Sequence, residues 1–174
     1  MLDVSVSYNR YKFLGFEFLT WLWFLIDNDQ ETIKKTVPGE ASLAIGNRIV
    51  LVNTRKDAVE TVLIKGEEAD LQEGIVAMRK GAVVAEVNLS YRNGDQEWRF
   101  TLKGESLGVS DLVPPATAPP ESPEDAEGVF LEKVYLYESV LALIDKIFQH
   151  FIKERVSPDW NRTMVPRIRK WISS

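Results

Sequence analysis

The most apolar stretch of the chain comprises the 14 residues Phe13–Ile26, which only Gly15, Glu17 and Thr20 interrupt. A helix that is apolar on nearly all sides is a buried one, so this stretch predicts a buried helix over about Tyr11–Asp27. We favour that interpretation over a helix that lies on a membrane surface. A membrane-spanning helix needs about 20 apolar residues, and we therefore expect no membrane association.

Between this stretch and the middle of the chain, the pattern changes to short apolar segments separated by turn residues. The pairs Pro38-Gly39 and Gly46-Asn47 each predict a turn. The predicted elements are strands over residues 41–45, 48–53, 58–65 and 107–112, and a helix over residues 67–80 with Gly81 as its C-cap.

Two segments of alternating apolar and polar residues, 83–92 and 98–103, lie on either side of Asn93-Gly94. Asn-Gly favours a two-residue type I′ turn, because both central residues of that turn need a positive φ. The segments therefore predict a β-hairpin with its apolar side chains on one face. The cross-strand pairs expected from that turn are Leu89–Trp98, Val87–Phe100 and Ala85–Leu102, with Asn88 opposite Arg99 on the other face.

Residues 114–128 hold five of the eight prolines together with four acidic residues. Proline removes a backbone donor and like charges repel, so we expect an exposed, semi-rigid linker. The linker divides a predicted helix and sheet domain, residues 1–113, from a C-terminal helical extension, residues 129–174, that packs on it. The predicted fold class is α+β, with a twisted antiparallel β-sheet packed by the apolar N-terminal helix and followed by two C-terminal helices.

After the linker, apolar residues recur at alternating spacings of four and three over three heptads. Such spacing is typical of a helix that pairs with another helix, and it predicts a homodimer interface. The predicted interface residues are Phe130, Val134, Tyr137, Leu141, Ile144 and Phe148. A second apolar row, which widens this face beyond a two-stranded seam, is formed by Leu136, Val140, Leu143 and Ile147.

A last helix is predicted to begin at Ser157-Pro158-Asp159, where a capping residue precedes a proline at the first helical position. Pro166 lies inside this helix, so we expect a bend there or an irregular first part. The apolar stripe of the helix comprises Trp160, Met164, Ile168 and Trp171 or Ile172.

The composition excludes several classes of active site. The chain has no cysteine and a single histidine, His150, which rules out thiolate zinc sites, cysteine nucleophiles and most histidine-based catalysis. No phosphate-binding loop or calcium loop is present, and no lysine follows an acid by two positions as in restriction-type nucleases. We interpret His150 as a structural or surface residue, and we expect no enzyme activity, no metal and no cofactor. An enzyme would need a buried carboxylate pair.

Charge is distributed unevenly along the chain. The whole sequence carries −5, but residues 151–174 carry +4 and the first 150 residues carry −9. The C-terminal cations, with tryptophans among them, predict contacts to nucleic-acid phosphates. The expected DNA-contacting residues are Arg155, Arg162, Arg167, Arg169 and Lys170. On charge alone, the solvated face of an amphipathic helix is the stronger interpretation of the same residues.

Three parts of the chain share their residue pattern with a known family: Phe13–Trp23, Glu97–Leu102, and the ending formed by Ser157–Trp160 with Arg169–Ile172. They resemble bacterial RdgC-like proteins, a family associated with recombination, and the resemblance extends over about residues 11–172. It implies a non-catalytic, largely sequence-independent DNA-binding protein, of a kind that forms ring-shaped homodimers around duplex DNA. The chain begins almost directly at the Phe-Leu-Gly segment, so we expect it to lack the N-terminal half that helps to close such a ring.

The leading hypothesis is a cytoplasmic, non-enzymatic DNA-binding accessory protein connected with recombination or replication. The alternative is a homodimerising assembly module that binds no nucleic acid, which the heptads and the apolar first helix favour. The absence of a signal peptide and of cysteine predicts the cytoplasm.

Overall fold

The computed structural model describes residues 13–55, 58–65 and 71–174, so the predicted helix starts at residues 11 and 67 lie outside the described residues. The elements, in chain order, are α1 (Phe13–Asn28), α2 (Gln30–Thr36), β1 (Ser42–Arg55), β2 (Ala58–Lys65), α3 (Leu71–Arg79), β3 (Val83–Asn93), β4 (Gln96–Lys103), β5 (Gly108–Val113), α4 (Asp125–Arg155), a π-helical turn (Trp160–Met164) and α5 (Val165–Ser173). The described strands form one antiparallel sheet in the order β2-β1-β3-β4-β5, and α1 packs on it. The predicted α+β class is confirmed. No helix among the described residues is long and apolar enough to cross a membrane.

The predicted turn at Gly46-Asn47 is wrong, because β1 runs through both residues as one strand. The pairing of β1 with β3 shifts between Ile45 and Ile49, which marks a bulge and not a chain reversal. The side chain of Asn88, on β3, holds the bulge, since its Oδ1 accepts a hydrogen bond from the Asn47 N–H at 3.2 Å. A Cβ on residue 46 would lie 2.2 Å from that same oxygen, so the contact requires glycine there.

The predicted hairpin is present as β3 and β4, but its turn lies one residue later than expected. Asn93 pairs with Gln96, so that Gly94 and Asp95 form the turn, and Gly94 takes a φ of +61°. The observed pairs are Tyr91–Trp98, Leu89–Phe100, Val87–Leu102 and Asn88–Thr101. Because the pairing has moved by two residues, each side chain stays on its predicted face. The aromatic pair of Tyr91 with Trp98, 5.1 Å between ring centroids, favours this register.

One hydrophobic core contains residues from both sides of the proline-rich segment. The inner row of α4, which comprises Leu136, Val140, Leu143, Ile147 and Phe151, is buried. Phe151 packs against Phe18 and Trp21 of α1, with 5.4 Å between ring centroids in each pair. The indole N–H of Trp98 donates to the carbonyl of Leu136 at 2.8 Å, so α4 is fixed to the sheet as well as to α1.

The irregularity predicted around Pro166 is confirmed. The residues before it form the π-helical turn, and Pro166 lies at the start of α5, where no intrahelical donor is lost. Trp171 of α5 packs edge-on against Trp23, 5.3 Å between ring centroids, and its indole N–H donates to Asp27 Oδ2 at 2.8 Å. The C-terminal helix is therefore fixed to α1.

Candidate interaction surfaces

The face of α4 opposite its inner row carries large apolar side chains that solvent can reach. We define as the outer stripe the residues Phe130, Leu131, Val134, Tyr135, Tyr137 and Leu141. Phe130 is 63% exposed, Leu131 is 58% exposed and Tyr135 is 68% exposed. Contiguous apolar surface is scarce on monomeric soluble proteins, so the outer stripe is a candidate contact surface.

The six predicted dimer residues fall into two groups. Phe130, Val134, Tyr137 and Leu141 belong to the outer stripe, whereas Ile144 and Phe148 pack against the core. The ring of Phe148 lies 5.2 Å from that of Phe18. The heptad spacing missed Leu131 and Tyr135, although each is adjacent to a predicted residue along the helix. A partner can therefore contact the first half of the predicted row without competing with the core of the chain.

The beginning of α4 makes few contacts with the rest of the chain. Every residue from 125 to 135 is exposed except Val129 and Val134, which are partly buried. At about 1.5 Å per residue, this part of the helix is roughly 16 Å long. Helices in proteins gain most of their stability from packing of an apolar face, and this part of α4 has no such packing among the described residues.

Two of the five predicted DNA-contacting residues form ion pairs with acids near the N-terminus. Arg155 Nε donates to Glu17 Oε2 at 2.6 Å, and its guanidinium lies 5.4 Å from the centroid of the Trp160 ring. Arg167 Nη2 donates to Asp29 Oδ2 at 2.9 Å. Each ion pair uses one nitrogen of its guanidinium, so N–H donors remain, but the nearby carboxylate offsets the charge and weakens the attraction for a phosphate.

Asp29 caps α2 and also binds Arg167. Its Oδ1 accepts a hydrogen bond from the backbone N–H of Thr32 at 3.2 Å. Burial raises the pKa of Asp29, but the hydrogen bonds from Arg167 and Thr32 outweigh burial and hold that pKa below its usual range. No local pattern in the sequence indicates the ion pair, because Asp29 and Arg167 are 138 positions apart.

Arg162, Arg169 and Lys170 are the other predicted DNA contacts, and all three are exposed. Within the described part of the chain, none of them forms an ion pair or a side-chain hydrogen bond. Arg169 also lines an apolar cavity of about 380 Å³ between α1 and α5, together with Phe16 and Ile168. The unpaired basic surface is thus smaller than the sequence predicts.

His150 joins three helices. Its Nδ1 lies 2.8 Å from the hydroxyl of Thr36 in α2, and its Nε2 lies 3.3 Å from Glu154. Glu154 in turn accepts the indole N–H of Trp21 at 2.8 Å. A hydroxyl, a histidine and an acid in this order have the composition of a catalytic triad, but Thr36 is only 5% exposed and its hydroxyl also lies 3.1 Å from the carbonyl oxygen of Thr32. These contacts support a structural role for His150.

Arg48 is the centre of a charged cluster on the polar face of the sheet. Its Nη2 lies 3.3 Å from Glu86 Oε2 and 3.2 Å from Asp111 Oδ2. The cluster pairs its own opposite charges, so it presents no free basic surface. Nowhere in residues 13–55, 58–65 and 71–174 do three His, Asp or Glu side chains gather as a metal site.

No protein-family model matches the chain, and searches of curated proteins and of solved structures give no match either. The resemblance to RdgC-like proteins therefore stays a prediction from the segments quoted above. What bears on function is the geometry of the outer stripe, the two arginine ion pairs and the three unpaired cations.

Proposed function

We propose that this protein is a non-enzymatic assembly module whose copies associate through the outer stripe of α4. The observation that carries the proposal is the exposure of this stripe on a part of the helix that makes few contacts with its own chain. Full burial of one large apolar side chain is worth roughly 1.5–3 kcal/mol. A partner that covers several residues of the stripe therefore supplies a driving force for association.

The partner that we propose is a second copy of the same chain. An identical helix presents the same apolar row at the same spacing of four and three residues, so two outer stripes can pack against each other about a two-fold axis. Such an arrangement is closed, because each copy uses its stripe once. Assembly through this surface therefore ends at a dimer.

Glutamate substitutions in the outer stripe test this proposal. In Phe130→Glu/Leu141→Glu both charges lie at exposed positions, so the variant should fold and sediment as a monomer at concentrations where the unmodified chain is a dimer. Val113→Glu/Val156→Glu is the matched control, because these residues are 59% and 77% exposed and both lie outside α4. A monomeric unmodified chain, or equal dimerisation of the two variants, would contradict the proposal.

A second candidate function is sequence-independent DNA binding. The observation in its favour is that Arg162, Arg169 and Lys170 are exposed and unpaired among the described residues. The resemblance to RdgC-like proteins implies the same activity. A dimer would also present two copies of this basic set, which would strengthen attraction to phosphates.

Fluorescence anisotropy with duplex DNA at several salt concentrations tests this second function. If each of the three cations neutralises one phosphate, the triple variant Arg162→Gln/Arg169→Gln/Lys170→Gln should reduce the slope of log K against log salt by about 2.7. The control with the same change in charge is Lys34→Gln/Lys35→Gln/Lys103→Gln, at exposed positions elsewhere. No binding at low salt, or an equal loss in the control, would exclude DNA binding by these residues.

A further inference from the structure

A cavity of about 480 Å³ lies between α4 and the turn of the hairpin. Its apolar lining comprises Pro38, Trp98, Ala142 and Leu143. Its polar lining includes Tyr91, Asn93, Gln96, Glu138 and Lys146. An apolar surface with a few polar groups around it is the usual composition of a small-molecule site, and the volume lies within the usual range for such sites.

The hydroxyl of Tyr91 has no partner within the described chain. Tyr91 is 3% exposed, and no described residue donates a hydrogen bond to its hydroxyl or accepts one from it. Burial raises the pKa of Tyr91, so the phenol keeps its proton and is a donor at neutral pH. The hydroxyl oxygen itself reaches solvent at the cavity, since the one buried side-chain nitrogen or oxygen without a partner among the described residues is Trp23 Nε1. Because Tyr91 lines the cavity, a molecule in the cavity can supply the missing acceptor.

Glu138 and Lys146 bring opposite charges to the same cavity. Neither forms an ion pair with another described residue. They are eight residues apart on α4, which places their Cα atoms about 12 Å apart along the helix. An extended dipeptide spans about 7 Å, and the two long side chains can provide the remaining reach.

We propose that this cavity binds a zwitterion of dipeptide size with an apolar side chain. The ammonium group of the ligand pairs with Glu138 and its carboxylate pairs with Lys146. The apolar side chain of the ligand lies on Trp98 and Leu143, and the Tyr91 hydroxyl donates to a ligand oxygen. Tyr135, which belongs to the outer stripe, also lines the cavity, so the site borders the proposed dimer surface, but none of the residues assigned a ligand contact lies in the stripe.

Isothermal titration calorimetry of the full chain with leucyl-leucine tests the proposal, with N-acetyl-leucyl-leucine amide as the uncharged comparison. The capped peptide should bind at least about tenfold more weakly, because it lacks both charge-assisted contacts. Glu138→Gln and Lys146→Gln should each weaken leucyl-leucine binding about tenfold or more. The controls Glu132→Gln and Lys133→Gln, on α4 outside the cavity, should leave binding unchanged.

Tyr91→Phe removes only the hydroxyl and separates ligand binding from folding. It should weaken leucyl-leucine binding about three- to tenfold, while the Tm of the free chain stays about the same because the hydroxyl has no partner in the protein. A lower Tm of the free chain would show that the hydroxyl already has a partner in the protein, and would overturn the proposal. Absence of binding at millimolar peptide, or equal binding of the capped peptide, would overturn it too.

Discussion

Two phenylalanines on α4 allow its two faces to be compared with the same substitution. The ring of Phe151 is 0% exposed and lies within 6.0 Å of four other aromatic rings, whereas Phe130 is 63% exposed. Truncation of a buried phenylalanine to alanine costs about 3–5 kcal/mol, and the loss of four ring contacts places Phe151→Ala toward the upper end. Phe130→Ala should change the free energy of unfolding of the monomer by less than about 0.5 kcal/mol.

Urea denaturation at low protein concentration, followed by tryptophan fluorescence and far-UV circular dichroism, measures both costs. All five tryptophans are buried, and they lie both before and after the proline-rich segment, so fluorescence reports on both parts of the chain. We expect one shared transition that only Phe151→Ala moves to lower urea. Equal costs for the two variants would refute the assignment of the two faces, and two separate transitions would refute a shared core.

Two further substitutions test individual contacts. Arg167→Gln should raise the pKa of Asp29 toward its ordinary value, as measured by NMR titration of the carboxyl carbons, and an unchanged pKa would contradict the ion pair. A lowered carboxyl pKa stabilises the fold at pH values above the unfolded-state pKa, and this stabilisation is lost as pH falls through the folded-state pKa. The free energy of unfolding of Arg167→Gln should therefore be up to about 1 kcal/mol lower at neutral pH and unchanged in strong acid. Asn88→Ala should cost about 1–3 kcal/mol in urea denaturation, because Asn47 N–H and the buried Thr101 hydroxyl lose a partner. The exposed Asn161→Ala should cost nothing measurable, and equal effects of the two asparagine variants would contradict the bulge contact.

The apolar residues of α4 can be predicted from the sequence, but their division between core and surface cannot. Both the row that begins at Phe130 and the row that begins at Leu136 satisfy the helical period. Which row is buried depends on Phe18, Trp21 and Trp98, which come from distant parts of the chain. Phe148 lies on the predicted dimer row and is nevertheless packed against the core, because α1 meets it there.

Local turn chemistry predicts the hairpin but neither its register nor the bulge in β1. Asn93-Gly94 satisfies the rule for a type I′ turn, yet the observed register adds the contact of Tyr91 with Trp98 across the strands. The bulge at Gly46 depends on the side chain of Asn88 on a neighbouring strand, which no local pattern contains.

For the basic C-terminus, the sequence predicts the charge but not which of the cations are paired in the fold. Its net charge is evident from the sequence, but the acids that bind Arg155 and Arg167 are each 138 positions away. The count of cations therefore overstates the charge that is free to meet a phosphate. Only a folded chain distinguishes the paired arginines from Arg162 and Arg169.

Amide hydrogen exchange of residues 125–135 at two protein concentrations tests the central proposal most directly. Dimerisation through the outer stripe predicts slow exchange of this segment at high concentration and fast exchange after dilution below the Kd, while the inner row from Leu136 to Phe151 exchanges slowly at both. Fast exchange of residues 125–135 at every concentration would contradict assembly through α4.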